Sequence, residues 1–152
     1  MTNSSDTETA EGGNGIFTVR QSPTHRRWNN IRYKTGLSAR NVPARFLSMN
    51  LARIPPGGVA CAHIHVDFEV MLYILEGRVR HEYGPHLRHS IENQAGDFIF
   101  IEPGVPHEVF NVSDTDEVVA IVARSDASEW ENIVDYDRDS GAVIERRAVS
   151  EG

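Results

Sequence analysis

The chain has 152 residues and a formal net charge of -7, a length that suits one domain with its own hydrophobic core. The acidic charge argues against a nucleic-acid partner or an anionic membrane surface, and no apolar stretch approaches the length of a membrane span. Cys61 is the single cysteine, which precludes an intrachain disulfide and is typical of a cytoplasmic protein.

The two ends of the chain are poor in residues that build a core. The first 15 residues, MTNSSDTETAEGGNG, hold three acids, no base and almost no large apolar side chain. Such a segment buries too little surface to order itself. The sequence therefore predicts a disordered tail over 1–15, a single domain over 16–137, and a loose, mostly polar C-terminal extension over 138–152.

Between these ends, short runs of β-branched and aromatic residues alternate with turn-forming segments such as PPGG, YGP and EPGVP. This rhythm predicts an all-β fold, either a sandwich or a small barrel. The predicted strands are 46–53, 59–65, 70–75, 78–83, 97–101, 107–112 and 118–123. One or two helical turns are predicted in DASEWENIVDYD at 126–137, with Ser125 or Asp126 as the cap.

Two histidines stand at the start of the apolar run CAHIHVDFEVMLYILEG at 61–77. Because side chains alternate along a strand, Cys61, His63 and His65 face the same way, into the barrel. A lone His-x-His also occurs on hydrogen-bonded or solvated faces. However, a Pro/Gly turn later leads into a strand that opens with His107, and antiparallel pairing would bring it beside the first two histidines. Three imidazoles and a carboxylate would suit Fe, Mn, Ni, Cu or Zn.

These two stretches resemble the paired motifs of the cupin superfamily. The residues that fall on the two motifs are Gly57, His63, His65, Glu69 and Gly77, followed by Gly96, Gly104, His107 and Asn111. The resemblance implies a double-stranded β-helix, which is a small jelly-roll barrel. It also implies that one divalent transition metal, first of all Fe(II), with Mn, Ni, Cu or Zn as alternatives, is held by His63, His65, Glu69 and His107.

Counting from the two ends of the first motif gives two different residues at the position of the acidic ligand. Counted forward from the histidines, it is Glu69, whereas counted back from Gly77 it is Val70. On a regular strand Val70 begins the apolar inner face and Glu69 points outward, so that only a bulge or an irregular lead-in between Val66 and Val70 would turn Glu69 inward. Asp67 is the alternative oxygen ligand, and a three-histidine site is a further alternative.

In GRVRHEYG at 77–84, His81 and Tyr83 lie on one face and the charged side chains on the other. His81 and Tyr83 are therefore predicted to line the cavity, where either could move a proton at a bound substrate. The alternative is that both are hydrogen-bonded wall residues at a sheet edge.

Members of the resembled family differ in activity, since one fold hosts many functions. The leading hypothesis is a metal-dependent enzyme acting on a small molecule, an Fe(II)-type oxygenase whose substrate chelates the ion through adjacent oxygens. The alternatives are a metal-assisted isomerase, cyclase or lyase that uses His81 or Tyr83, and a binding or sensing domain without turnover. A homodimer is expected, formed through the segments RFLSMNLARI and FTVRQS, because a free sheet edge invites pairing.

Overall fold

The computed structural model describes residues 9–20, 26–128 and 132–144. Its strands are β1 (Glu11–Gly13), β2 (Ile16–Thr18), β3 (Arg26–Trp28), β4 (Ile31–Leu37), β5 (Ser48–Ile54), β6 (Val59–His65), β7 (Val70–Glu76), β8 (Arg78–Tyr83), β9 (His89–Gln94), β10 (Phe98–Ile101), β11 (His107–Asn111), β12 (Val118–Arg124) and β13 (Ile133–Asp135). A 3-10 turn spans Pro85–Leu87. No helix in these ranges has the length and apolar character needed to cross a bilayer, and the cytoplasmic location stays a prediction.

Two antiparallel sheets face each other and enclose the core. One is six-stranded in the order β10-β7-β12-β5-β4-β3, the other is five-stranded in the order β13-β6-β11-β8-β9, and β1 pairs with β2 in a separate hairpin. From β5 onward the chain passes repeatedly from one sheet to the other, as in a jelly roll. The predicted all-β double-stranded β-helix is confirmed.

The core forms because strand alternation turns one face of each sheet inward. Along β5 every second side chain is buried, and the largest fully buried side chains come from β7, β8 and β12: Ile74, Val70, Val79 and Val118. Strand β6 is covered on its outer face as well, where Ala62 and Ile64 pack against Leu87 and Tyr136. The strand that carries two of the histidines is therefore held from both sides.

Parts of the predicted tail and extension form contacts in the structure. Strand β1 lies within the predicted tail 1–15 and pairs with β2, which lies at the start of the predicted domain, and residues 1–8 lie outside the described ranges. In the predicted extension 138–152, Arg138 forms ion pairs with Glu82 at 2.6 Å and with Glu108 at 2.8 Å. The beginning of that extension is thus attached to the barrel, while the limits 16–137 of the domain stay a prediction.

The helical turns predicted within 126–137 are wrong where the structure describes this segment. Ile133–Asp135 forms strand β13 and pairs antiparallel with β6, and residues 129–131 are not described. Asp126 still acts as a local cap, because its side chain accepts a hydrogen bond from the backbone N–H of Ser128 at 2.8 Å. A long-range strand pairing, which local propensity does not report, decides the conformation here.

Asn111, the last residue of the second motif, connects the end of β11 to two neighbouring loops. Its buried Nδ2 donates hydrogen bonds to the carbonyl oxygens of Ile54, Pro55 and Asp116 at 3.1, 3.0 and 2.8 Å. Its Oδ1 accepts a hydrogen bond from the backbone N–H of Ser113 at 2.9 Å. The structure therefore gives Asn111 a structural role, since it satisfies backbone groups that water reaches poorly.

Replacing Asn111 with Ala should lower the free energy of unfolding by about 2 kcal/mol or more, because several backbone groups lose their partner. Denaturant titration followed by circular dichroism measures this change. Asn93→Ala on β9 is the matched control and should change stability by about 0.5 kcal/mol or less. Equal effects of the two substitutions would contradict the role given to Asn111.

Candidate metal centre

Three histidines converge inside the barrel. His63 and His65 end strand β6, His107 begins the neighbouring strand β11, and the antiparallel register places His107 opposite His63. A ring nitrogen from each of the three lies within 4.8 Å of the other two, and all three residues are buried. The structure thus brings together the three predicted histidines.

Hydrogen bonds to the backbone orient two of the three rings. Nδ1 of His63 lies 2.8 Å from the carbonyl oxygen of Cys61, and Nδ1 of His107 lies 2.9 Å from the carbonyl oxygen of Val105. Because a carbonyl only accepts hydrogen bonds, Nδ1 carries the proton in both rings and Nε2 keeps its lone pair. Such bonds fix the tautomer and the orientation of imidazole ligands in metal sites.

Burial favours the neutral form of three imidazoles at the site, those of His65, His81 and His107. Desolvation lowers the pKa of His107 to about 4 and, with a further contribution from the nearby His107, that of His81 to about 3. The pKa of His65 is well below its ordinary value, first through burial and then through the proximity of His107, His63 and Arg124. Neutral imidazole is the form that binds a metal.

The donor set fits a divalent transition metal. Nδ1 of His65 is buried and has no hydrogen-bond partner among the described residues, and the same is true of Nδ1 of His81. Buried polar atoms without partners are costly. Ligation by His65 would offset that cost at one of the two rings, and imidazole nitrogen suits Fe, Ni, Cu and Zn in particular.

The structure does not bring a carboxylate into this cluster. Glu69 is exposed and precedes β7, where its backbone N–H donates a hydrogen bond to Oγ of Ser125 at 2.8 Å. Asp67 is exposed as well. The inward position at the start of β7 belongs to Val70, which is buried and lines the cavity.

The structure thus places Glu69 outside the cluster of three histidines, and its role as the fourth ligand stays a prediction. β7 pairs regularly with β10 from Val70 onward, and Glu69 lies exposed in the irregular segment 66–69 that precedes the strand. The alternative of a three-histidine cluster agrees with the structure. The metal-binding role of the cluster itself stays a prediction.

All three histidines of the cluster line a small cavity, and His107 also lines a larger cleft beside it. The cavity has a volume of about 60 Å³ and shares His81, Ile101 and His107 with the cleft, which has a volume of about 350 Å³. Clefts of that size accommodate small molecules. Its walls include polar side chains on both sides, Tyr83, Asn93 and Glu102.

His81 and Tyr83 both line the outer cleft, as the strand alternation predicted. His81 is buried, and its ring centroid lies 6.4 Å from that of His107. Tyr83 is half-buried, and its ring contacts the ring of His89 at a centroid distance of 5.6 Å. Both are close enough to the histidine cluster to contact a molecule bound there, and their catalytic roles stay predictions.

Arg124 is a cavity residue that the sequence analysis missed. It ends β12, is only 4% exposed, and pairs in register with Val70 across the sheet. Its guanidinium carbon lies 5.6 Å from the ring centroid of Tyr33. A signal was present in the sequence, because Arg124 has the same strand parity as the apolar residues Ala120 and Val122, which are buried.

Comparison with known proteins agrees with this architecture. The sequence model of the cupin domain matches residues 50–124, a range that contains both motifs, the histidine cluster and Arg124. With the double-stranded β-helix and cupin structures among its neighbours, this match places the chain in the cupin superfamily.

Individual relatives include a curated protein and solved structures. A probable oxalate decarboxylase of Arthroderma benhamiae is 27% identical over 90% of this chain, which spans 38% of that protein's length. A recombinant oxalate oxidase in complex with glycolate is 24% identical, with a TM-score of 0.58 over 70% of this chain and 55% of its own. A conserved barrel domain protein from Salinispora arenicola is 22% identical, with a TM-score of 0.61 over 75% of this chain and 92% of its own.

The three-histidine arrangement predicts which substitutions release metal. Double replacement of His63 and His65 with Ala should reduce bound metal from about one ion per chain to a trace, because it removes two of three nitrogen ligands. Elemental analysis after reconstitution with Fe(II), Mn, Ni, Cu or Zn measures the stoichiometry.

Glu69→Gln and Asp67→Asn are the matched controls and should retain metal within about twofold of the unchanged chain, because exposed carboxylates outside the cluster contribute little. A Glu69→Gln variant that loses metal as fully as His107→Ala would return Glu69 to the ligand set.

Proposed function

We propose that this chain is a metal-dependent enzyme that acts on a small oxygenated molecule, as an Fe(II)-type oxygenase. The observation that carries the proposal is the cluster of three buried histidines, one of which, His107, also lines a cleft large enough for a small substrate. Fe(II) is the first choice of metal, and Mn, Ni, Cu or Zn are the alternatives.

In this proposal the chain's residues bind the ion and orient the substrate. His63, His65 and His107 would hold the ion, which would supply Lewis acidity toward the oxygens of the substrate and the capacity to activate dioxygen. The three histidines contribute no negative charge, so they favour a substrate whose own oxygens are anionic. The apolar wall around them, which includes Val70 and Ile101, excludes water from the reacting atoms.

The named relatives support a small, oxygen-rich substrate. One is called a probable oxalate decarboxylase, and one solved structure is an oxalate oxidase in complex with glycolate. Both names concern small oxygenated acids. The chain spans well under two thirds of either protein, so a related substrate for this chain is part of the proposal.

A metal-assisted isomerase, cyclase or lyase is the second candidate. It is favoured by the placement of His81, a buried and neutral imidazole near His107, and of Tyr83 on the same cleft. In such a reaction His81 would accept a proton from the substrate, and the Tyr83 hydroxyl would return one. A binding or sensing domain without turnover is the third candidate.

Oxygen uptake distinguishes these functions. Under anaerobic conditions, the Fe(II)-loaded protein should bind catechol, a ligand with adjacent oxygens, and develop a charge-transfer absorption band that the His107→Ala variant lacks. Exposure to air should then consume oxygen in an electrode chamber if the protein is an oxygenase.

The other outcomes point to the other candidates. Turnover without oxygen uptake, reduced by about a hundredfold or more in His81→Gln or Tyr83→Phe, would favour proton-transfer chemistry. Binding with no turnover of catechols, enediols or short hydroxy acids would favour the sensing domain.

We also propose that the chain forms a homodimer, and that the outer face of its six-stranded sheet takes part in the contact together with the expected segments RFLSMNLARI and FTVRQS. Phe98, Phe100 and Met71 are 82%, 52% and 57% exposed on this face, and the rings of Tyr73 and Phe98 contact each other at 4.6 Å. The patch reaches the free edge strand β10. A second copy related by twofold symmetry would cover both the apolar face and the edge.

The dimer should be visible by light scattering at micromolar concentration. Phe98→Glu should shift the protein toward monomer, because a charge buried in an apolar interface is costly. Val143→Glu changes another exposed apolar residue, on the C-terminal segment, and should leave the mass unchanged. A monomeric mass for the unaltered chain would contradict the proposal.

A further inference from the structure

Strand β6, which carries two of the histidines, contains a bulge just before them. Antiparallel pairing with β11 joins His107 to His63 but Val109 to Ala60, so that two residues of β6 face one residue of β11. Cys61 lies in this bulge. Because a bulge bends its strand and re-aims the side chains beside it, the backbone at Cys61 sets the direction in which His63 points.

An asparagine from the other sheet bonds both backbone groups of Cys61. Oδ1 of Asn29, in the turn between β3 and β4, accepts a hydrogen bond from the N–H of Cys61 at 3.1 Å. Nδ2 of Asn29 donates one to the carbonyl oxygen of Cys61 at 2.9 Å. The same carbonyl oxygen lies 2.8 Å from Nδ1 of His63, and its two lone pairs can accept both donors. One carbonyl group therefore connects Asn29 to a histidine of the cluster.

The turn that carries Asn29 is built for this position. Asn29 and Asn30 have φ angles of 54° and 65°, the left-handed conformation that both central residues of a type I′ hairpin turn adopt and that asparagine tolerates. Asn29 is buried, with 6% of its surface exposed. The ring of the preceding Trp28 contacts the ring of His63 edge-on at a centroid distance of 5.2 Å. The turn thus approaches His63 through two neighbouring side chains.

We propose that Asn29 is a positioning residue of the metal centre. It fixes the carbonyl group of Cys61, and that carbonyl holds His63 in the tautomer with the proton on Nδ1, which leaves Nε2 for the ion. This inference rests on the proposed metal-dependent function. Partners of the second nitrogen of a ligating imidazole fix its tautomer and its orientation, and Asn29 would act one step further out.

A purely structural role for Asn29 makes a different prediction. If its amide only attached the β3–β4 turn to β6, its loss would lower stability, while the tautomer of His63 and the affinity for metal would stay the same. The tautomer and the metal affinity are therefore the deciding measurements.

Two measurements on the unaltered, metal-free protein need no variant. Nitrogen-15 NMR of the imidazoles should show His63 with its proton on Nδ1. Hydrogen exchange should be as slow at the backbone N–H of Cys61 as at the paired amides of β6, because Asn29 accepts this N–H. A proton on Nε2 of His63, or rapid exchange at Cys61, would overturn the inference.

Asn29→Gly removes the amide and keeps the turn, because glycine accepts a positive φ. We expect a mixture of the two His63 tautomers in the metal-free variant. We also expect Co(II) to bind about tenfold or more weakly, as is typical when a partner of a ligating histidine is lost. Competition with a chelator, followed by the visible absorption of bound Co(II), measures this affinity.

Asn30→Gly is the matched control, because it removes an amide from the same turn at the same kind of φ. Nδ2 of Asn30 bonds the carbonyl oxygen of Val59 at 3.0 Å, outside the link to His63. This variant should keep the tautomer and should bind Co(II) within about twofold of the unaltered chain.

A folded Asn29→Gly variant with an unchanged tautomer and unchanged Co(II) affinity would overturn the inference, as would equal effects of the two glycine substitutions. If the unaltered protein binds no Co(II), the proposed function fails. The tautomer of His63 in the metal-free proteins then decides the role of Asn29 by itself.

Discussion

Burial of imidazole rings against apolar strands is the constraint on which the site depends. Desolvation keeps His65, His81 and His107 neutral, and neutrality makes them available as ligands or proton acceptors. Two rings are also oriented locally, because His63 and His107 each bond the carbonyl oxygen two residues earlier in the chain. The ligand geometry thus needs only that β6 and β11 pair in the correct register, and β6 is secured by packing on both faces.

The strands that were predicted correctly are those whose pattern is decided locally. Residues 59–65 alternate cleanly between turns and form β6 with the predicted bounds, and the other predicted strands agree to within two residues. Strand β9 was missed because its sequence, HSIENQ, is mostly exposed and carries no apolar stripe. Strand β13 was missed because its conformation is set by pairing with β6, far away in the sequence.

The site was predictable to a similar extent and for similar reasons. Spacing and strand parity identified the three histidines. The position of the acidic ligand was ambiguous, because counting forward from the histidines and counting back from Gly77 gave different residues. The alternation of side chains already indicated that Glu69 points outward, because Val70 points inward and neighbouring residues on a regular strand face opposite ways. Arg124 was missed because a charged residue that follows an apolar run usually marks the end of a strand, where its side chain is exposed to solvent. Only the paired sheets show that the end of β12 lies inside the barrel.

The position of Glu69 outside the histidine cluster bears on how metal and substrate would depend on each other. A site with its own carboxylate ligand partly balances the ion's charge before any substrate arrives. The three histidines supply no negative charge, so under the proposed function an anionic substrate would complete the balance. Thermodynamic linkage then requires that each ligand raise the affinity of the other by the same factor. Metal would be held most firmly in the presence of the acid, which couples occupancy of the centre to supply of its substrate.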